Sequence, residues 1–388
     1  MRHVPENVVV TGGTGCVGTS VLGLLSALGV SRLTSYSRRP PTLPRDGVRY
    51  RQVDVRDFPS LRAALSREQP DLVLHLAAQR QPALAERRVA ETISSNVIGT
   101  KSVLAAAGAV GVPKVVTAST GKALRYFASE VYASTKKLGE YLVAQAPERW
   151  GVTTATTRFT HIVDNSVVYS RIRGWARSGA PIRLHAPDIA FYVQSAREAA
   201  QLLVSTASNP DASVPLMTML ADIGWPQDLL DLALDVIEKE KSQSSLCFAG
   251  YEPGYTDHIY PGTFDPRRDD CSPLVNVIEA ERVMPARQTA AIQRVELVPK
   301  CAGALDDAID YLESDWRSGA SDSQLRERLN VASVALLEKT LGETSPHELE
   351  AILSLAADKV APTREHRITH RHVMAAARAL GVTEPVMS

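Results

Sequence analysis

The feature that most constrains the fold is an apolar run, Asn7 to Thr11, leading straight into Thr11-Gly12-Gly13-Thr14-Gly15-Cys16-Val17-Gly18. Apolar positions at a helical period follow from Val21 to Leu28, so the order predicted is strand, turn, helix. Three of its glycines have a reason in that setting. Gly12 allows the tight turn, Gly15 lets backbone approach a pyrophosphate, and Gly18 permits close packing of helix on strand. Thr14, Cys16 and Val17 complete a loop whose helix N-terminus offers unpaired N–H groups to negative charge. The spacing points to a dinucleotide site.

The same rhythm continues through the first 160 residues. Leu33 to Tyr36, Tyr50 to Val53, Asp71 to His75, Lys114 to Ala118 and Thr153 to Arg158 read as short strands. Pro59–Ser66, Val89–Gly108 and Val131–Ala146 read as helices between them. Strands that are apolar throughout and alternate with helices predict a parallel sheet covered on both faces. The fold class expected is therefore α/β, a Rossmann-type doubly wound parallel sheet with a smaller substrate-binding lobe and a helical C-terminal extension. The divisions expected are 1–160 for the dinucleotide-binding domain and 161–300 for the lobe, some of whose segments return to the sheet. Residues 301–388 form the extension. In it Ser345-Pro346-His347-Glu348 is a capping box, Ser321 to Gln324 offers a similar start, and a last helix spans roughly His370 to Leu380.

Composition narrows the class further. The chain has 388 residues, 44% hydrophobic, with 43 basic side chains against 43 acidic. A neutral chain lacks the positive field of a nucleic-acid binder, and its apolar fraction is too high for disorder. No apolar stretch reaches the ~18 residues of a membrane-spanning helix, and the polar opening before Val8 leaves no room for a signal peptide. Cys16, Cys247, Cys271 and Cys301 lack metal-ligand spacing, so no metal is expected. The reading is a cytoplasmic, homo-oligomeric protein with a small-molecule substrate. Residues 301–388 hold 14 acidic and 9 basic side chains, a net of −5, so the first 300 carry +5, a balance that suits small anions.

The second strand ends Tyr36-Ser37-Arg38-Arg39, with no acid to accept from ribose hydroxyls. Ser37, Arg38 and Arg39 suit the 2′-phosphate of NADP, which is preferred here to NAD. Asp54 and Val55 are placed to meet the adenine edge, and Leu76, Ala77 and Ala78 to lie beside the cofactor. Tyr132 and Lys136 form a YxxxK pair on one helix face, where Lys136 is expected to lower the phenol's pKa. Thr120 closes the preceding strand and would hold the reacting oxygen. His75 reads as a structural histidine. His366, His370 and His372 read as a solvated helix start, and His185 and Asp188 as loop-shaping residues.

At these residues the chain resembles the extended short-chain dehydrogenase/reductase superfamily, and within it the polysaccharide-biosynthesis branch of nucleotide-sugar 4,6-dehydratases and epimerases. The resemblance rests on Tyr36-Ser37-Arg38, Asp54-Val55-Arg56-Asp57, His75-Leu76-Ala77-Ala78 and Asn96-Val97-Ile98-Gly99-Thr100. It continues through Ser119-Thr120-Gly121-Lys122-Ala123, Tyr132 to Lys136, Arg158-Phe159 and His185 to Ile189. It covers residues 7–205 and thins out to about 262. It implies a nucleotide-diphosphate sugar as substrate and a transient 4-keto intermediate. Tyr132 and Lys136 would be the redox pair and Lys122 the group that abstracts a carbon-bound proton. Asn96 joins the cofactor contacts; Arg80, His161, Arg173 and Arg183 are the substrate contacts.

Departures from the family pattern matter equally. The loop Asp that protonates the departing hydroxyl in the dehydratases is Gly121 here, and the stretch from Thr120 to Tyr132 is longer by about two residues. His161 replaces an Asn, while Phe191 and Glu252 each replace an Arg. Arg171, Arg173 or Arg183 would have to supply the lost cations, or the substrate differs. An NADP-dependent epimerase is the leading expectation. The alternatives are a 4,6- or 5,6-dehydratase, a net NADPH-dependent ketoreductase and a non-catalytic NADP-binding assembly protein.

Overall fold

A computed structural model of the chain describes residues 5–165, 167–209, 214–255, 259–265, 271–284, 291–298, 304–357, 360 and 363–382. Cys301 and the expected boundary at 300 lie outside these residues. The strands are β1 (Asn7–Thr11), β2 (Arg32–Ser37), β3 (Val48–Gln52), β4 (Leu72–His75), β5 (Lys114–Thr120), β6 (Thr153–Phe159) and β7 (His161–Ile162). They continue with β8 (Ile182–Leu184), β9 (Ala190–Phe191), β10 (Val193–Gln194), β11 (Leu216–Leu220), β12 (Gln227–Asp228), β13 (Leu246–Phe248) and β14 (Ile292–Glu296).

The helices are α1 (Cys16–Ala27), α2 (Phe58–Glu68), α3 (Pro82–Arg87), α4 (Val89–Ile93), α5 (Gly99–Ala109), α6 (Val131–Trp150) and α7 (Val167–Ser178). After them come α8 (Ala196–Ala207), α9 (Leu229–Lys239), α10 (Val277–Ala280), α11 (Ala304–Arg317), α12 (Asp322–Gly342), α13 (Pro346–Ala356) and α14 (Arg364–Ala379).

Every residue of β1 is buried, because β1 is paired on both edges and covered on both faces. It belongs to an eight-stranded sheet in the order β14-β11-β6-β5-β4-β1-β2-β3. All neighbours pair in parallel except β14, which runs antiparallel to β11. This is the doubly wound architecture anticipated from the strand–helix alternation, with β11 and β14 extending the sheet. The chain direction switches sides between β1 and β4, and ligands of such sheets bind in the crevice beyond the strand ends at that point.

Two apolar layers sandwich the sheet. On one face α1 and α8 bury Val21, Leu22 and Leu25 together with Ala199, Leu202 and Leu203. On the other, α2, α5 and α6 pack with the sheet in a core that also contains Leu305, Ile309 and Leu312 of α11 and Leu325, Leu329 and Ala332 of α12. The acidic C-terminal helices thus complete a layer. Lys101 reaches Asp310 (2.7 Å) and Glu313 (2.6 Å), and Arg149 reaches Asp306 (2.9 Å), so the charge difference between the two parts of the chain becomes contact. Farther along, α13 and α14 pack with the end of α12 around Leu337, Leu349, Ile352 and Val373.

Three helices differ from expectation for physical reasons. The segment Val89–Gly108 is broken by a π-helical turn at Ser94–Ile98. That wide turn carries the Asn96 amide onto Gln79 and leaves the Asn96 carbonyl to the Thr100 hydroxyl at 2.7 Å. α6 runs on past Pro147 to Trp150, because the Thr154 hydroxyl donates to the Val143 carbonyl that proline leaves unpaired. α14 begins at Arg364, capped by Thr363, earlier than its histidines suggested. The capping boxes at Ser321 and Ser345 form as read.

Because α12 shares its core with the sheet layer, Leu329→Ala should cost about 2–5 kcal/mol. Urea unfolding followed by far-UV circular dichroism and by tryptophan fluorescence should shift as one transition; two separated transitions would contradict a shared core.

Candidate active site

The glycine turn leaves β1 with the Gly12 N–H donating to the Tyr36 carbonyl at 2.8 Å and the Gly15 N–H to the Gly12 carbonyl at 2.9 Å. Gly12 has φ +72°, and a Cβ there would stand 2.7 Å from the Ala77 nitrogen; on Gly18 it would stand 2.3 Å from the Gly12 carbonyl oxygen. Thr14 and Gly15 are exposed, and Gly15 caps α1 with no side-chain hydrogen bond. The turn therefore offers open helix N–H groups over a surface that larger residues would fill, which fits a dinucleotide diphosphate. Cys16 and Val17 are half-buried at the start of α1.

Leu76, Ala77 and Ala78 leave β4 directly opposite, half-buried. Asn96 acts on this loop from behind. It is buried, with its amide accepting from Gln79 N–H (2.8 Å) and donating to the Gln79 carbonyl (3.0 Å) and the Thr135 hydroxyl (3.1 Å). His75 is buried between the Thr11 hydroxyl (2.7 Å) and the Thr100 hydroxyl (3.2 Å). Burial, with a smaller push from Lys136, brings it down to about 3, so it stays neutral as the structural reading requires.

At the end of β2, Ser37 donates to the Arg39 carbonyl (2.6 Å) and Arg38 pairs with Glu91 (3.3 Å), while Arg39 is exposed. Asp54 is gripped by Arg56 through 2.6–3.1 Å bonds; burial alone would raise its carboxyl, but those bonds hold it below its ordinary value. Val55 is buried in the core, close against Gly99.

Thr120, Tyr132 and Lys136 do converge, at the ends of β5 and β6. The Thr120 hydroxyl meets the Tyr132 phenol, and Arg80 lies near enough to act on both Tyr132 and His161. Burial raises the phenol, against the pull of Thr120 and Arg80. The lowering anticipated from Lys136 is not found: burial raises the phenol, and the Lys136 ammonium donates to the Ala118 carbonyl. Burial brings Lys136 itself down to about 8, with Glu140 opposing.

Glu140 lies one turn beyond Lys136 and is the anchor that sequence reasoning left without a role. Its carboxylate accepts from Ser119 (2.6 Å) and from Arg158 (2.7 and 2.8 Å). Arg158 is fully buried and also holds Glu279 (2.7 and 2.8 Å) and the Leu274 carbonyl (2.7 Å). The signal was present in the i, i+4 stripe Tyr132, Lys136, Glu140 and in an arginine at the end of a threonine-rich interior strand.

The substrate-side residues divide. His161 packs edge-on against Phe191 with ring centroids 5.0 Å apart. These two departures from the family pattern wall a single cavity of about 260 Å³, with Tyr169, Val193 and Leu232. Burial, with a smaller push from Arg80, lowers His161. Arg173 instead shares Glu240 with Arg177, at 2.5 and 2.9 Å, and Arg183 is exposed on β8. Arg171 binds Glu252 through bonds of 2.7 and 3.2 Å, so that glutamate faces a cation of its own chain. Lys122 stands beside Glu130 at 3.2 Å, and Gly121 before it packs against Leu274.

Fold and site together define an extended short-chain dehydrogenase/reductase architecture. The chain belongs to the polysaccharide biosynthesis protein family, whose profile matches residues 8–256. It is 32% identical over 174 residues to a UDP-N-acetylglucosamine 4,6-dehydratase (inverting) of Campylobacter jejuni, covering 43% of this chain and 50% of that one. It is 29% identical over 212 residues to an uncharacterized membrane protein of Methanocaldococcus jannaschii, covering 51% of this chain and 62% of that one. The chain thus spans about half to three-fifths of the length of these curated relatives. Among solved structures, UDP-glucose 4-epimerase of Thermus thermophilus, in complex with NAD, superposes with a TM-score of 0.56 at 20% identity, covering 64% of this chain and 88% of that one. Among the described residues, no helix is long and apolar enough to cross a membrane.

Arg158→Met would leave Glu140 and Glu279 buried without their cation. It should lower stability by about 3–5 kcal/mol, read as the shift of the urea midpoint; a loss below about 1 kcal/mol would show the triad to be peripheral.

Proposed function

We propose that this chain is a nucleotide-sugar-modifying enzyme that works through a transient 4-keto intermediate with a nicotinamide dinucleotide in the Gly12–Gly18 turn. Epimerisation is the net change favoured. The observation that carries the reading is the convergence of Thr120, Tyr132, Lys136, Arg80 and His161 at the strand ends beside that turn. When bound, the dinucleotide supplies a hydride acceptor and donor.

The chain's own groups do the rest. The Thr120 hydroxyl holds the sugar oxygen, and the Tyr132 Oη takes and returns its proton. Lys136, one helical turn away, supplies the positive charge that favours the phenolate. Lys122 removes the proton from the carbon beside the ketone, solvent water on the opposite face supplies the proton that replaces it, and the lysine returns its own proton to solvent. Gly121 brings no carboxylate to the position from which the family's dehydratases protonate a departing hydroxyl, which supports epimerisation over loss of water. Dehydration is the second reading, favoured by the likeness to the Campylobacter jejuni enzyme.

NADP is the form proposed. Arg39 is exposed at the end of β2, and Arg38 pairs with the partially exposed Glu91 and also acts on Asp54. Arg39→Ser should weaken NADPH binding about tenfold or more, the loss expected for a charge-assisted contact, and leave NADH binding unchanged. Equal losses for both, measured by calorimetry, would remove the 2′-phosphate assignment.

Tyr132→Phe should lower turnover by about a hundredfold to ten-thousandfold while the dinucleotide still binds. Mass spectrometry and NMR of the product decide its class: an isomer of unchanged mass supports epimerisation, whereas loss of water supports dehydration. If a panel of nucleotide sugars yields neither, the proposal fails.

A further inference from the structure

Lys122 lies on the short 3-10 turn Gly121–Leu124 after β5 and is held from several sides. Its Nζ donates to Glu130 Oε1 at 3.2 Å and to the Gly254 carbonyl at 3.3 Å, and it stands 5.6 Å from the centre of the Tyr255 ring. Behind Glu130 the charges continue. Arg125 donates to Glu130 Oε2 at 3.0 Å and lies 3.7 Å from Glu365 Oε1, and Glu365 Oε2 accepts from the Ser129 hydroxyl at 3.3 Å. Glu365 belongs to α14, so the row Lys122–Glu130–Arg125–Glu365 runs from the strand ends into the C-terminal helices.

Exposure separates the roles within this row. The Lys122 side chain is 29% exposed, against 5% for Glu130, 7% for Arg125 and 12% for Glu365. Glu130 is too enclosed to meet a sugar, so it acts through the lysine it holds. We propose that Glu130 is a positioning residue that fixes the Lys122 ammonium and sets its proton affinity, with Arg125 and Glu365 behind it making helix α14 part of the site's support. The proposal rests on the reading of Lys122 as the proton-abstracting group.

The physical basis is a balance of opposed terms. Burial disfavours the ammonium and draws Lys122 below an ordinary lysine, while the Glu130 carboxylate and, more weakly, Glu365 push it back up and Arg125 pushes down. A lysine that removes a carbon-bound proton must be neutral near the working pH, yet not so weak a base that it cannot hold what it takes. Glu130 counters the drop that burial alone would cause. Arg125 in turn keeps two buried carboxylates, Glu130 and Glu365, from facing each other unpaired. Tyr255, contributed by the loop after β13, is a further titratable group beside this lysine.

Competitive acylation of the full chain with acetic anhydride across a pH series, read by peptide mass spectrometry at Lys122, tests this in the resting protein. Glu130→Gln should move the labelling midpoint down by about one pH unit, roughly tenfold more neutral amine at a fixed pH. Glu365→Gln should move it down by less, and Arg125→Met should move it up. An unchanged or raised midpoint in Glu130→Gln overturns the proposal. If that variant does not fold, equal midpoints in Glu365→Gln, Arg125→Met and the parent chain overturn it instead. The label reports the lysine itself, so a failure to turn over any nucleotide sugar would count against the enzymatic reading and leave this test standing.

Discussion

The Arg158 guanidinium is the interaction on which the site's geometry depends. It is fully buried at the end of β6 and joins three elements through side chains: α6 through Glu140, α10 through Glu279 and β5 through the Ser119 hydroxyl that shares Glu140. A buried charge of this kind is tolerated only when its hydrogen-bonding positions are filled. Here the guanidinium nitrogens engage two carboxylates and the carbonyls of Leu274 and Ala123. Glu140 sits one turn beyond Lys136, so the same bonds that satisfy Arg158 set the rotation of α6. That rotation brings Tyr132 to Thr120.

The second dependence is between the sheet's switch point and its supporting polar groups. Gly12 passes so close to Ala77 that a side chain there would collide with its backbone, and His75 ties β1 to α5 through two hydroxyls. Asn96 then clamps Gln79, the residue before Arg80. The loop that carries Arg80 toward Tyr132 and His161 is thus fixed from inside the core, by residues that need not touch a ligand.

Much of this was legible in the sequence where local pattern decides. The six strands through β6 followed from short β-branched and apolar runs, the glycine turn from its place after β1, and the C-terminal capping boxes from Ser-x-x-Gln and Ser-x-x-Glu. What escaped was set by partners distant along the chain. No local rule pairs Lys122 with Glu130, brings Arg125 to Glu365, or hands Arg173 to Glu240. The continuation of α6 past Pro147 depends on the Thr154 hydroxyl, supplied by the neighbouring strand β6. The raised Tyr132 phenol is a burial effect, invisible to the YxxxK spacing. The substitutions at His161 and Phe191 look unrelated in sequence and meet only across the cavity wall.

On the function proposed above, the Tyr132 phenol handles an oxygen-bound proton and the separately held Lys122 a carbon-bound one. The most direct test of that division is solvent exchange. Turnover of a nucleotide-sugar substrate in deuterium oxide, followed by NMR and mass spectrometry, should place solvent deuterium on the carbon adjacent to the transient ketone. A product formed with that carbon still fully protonated would contradict the account.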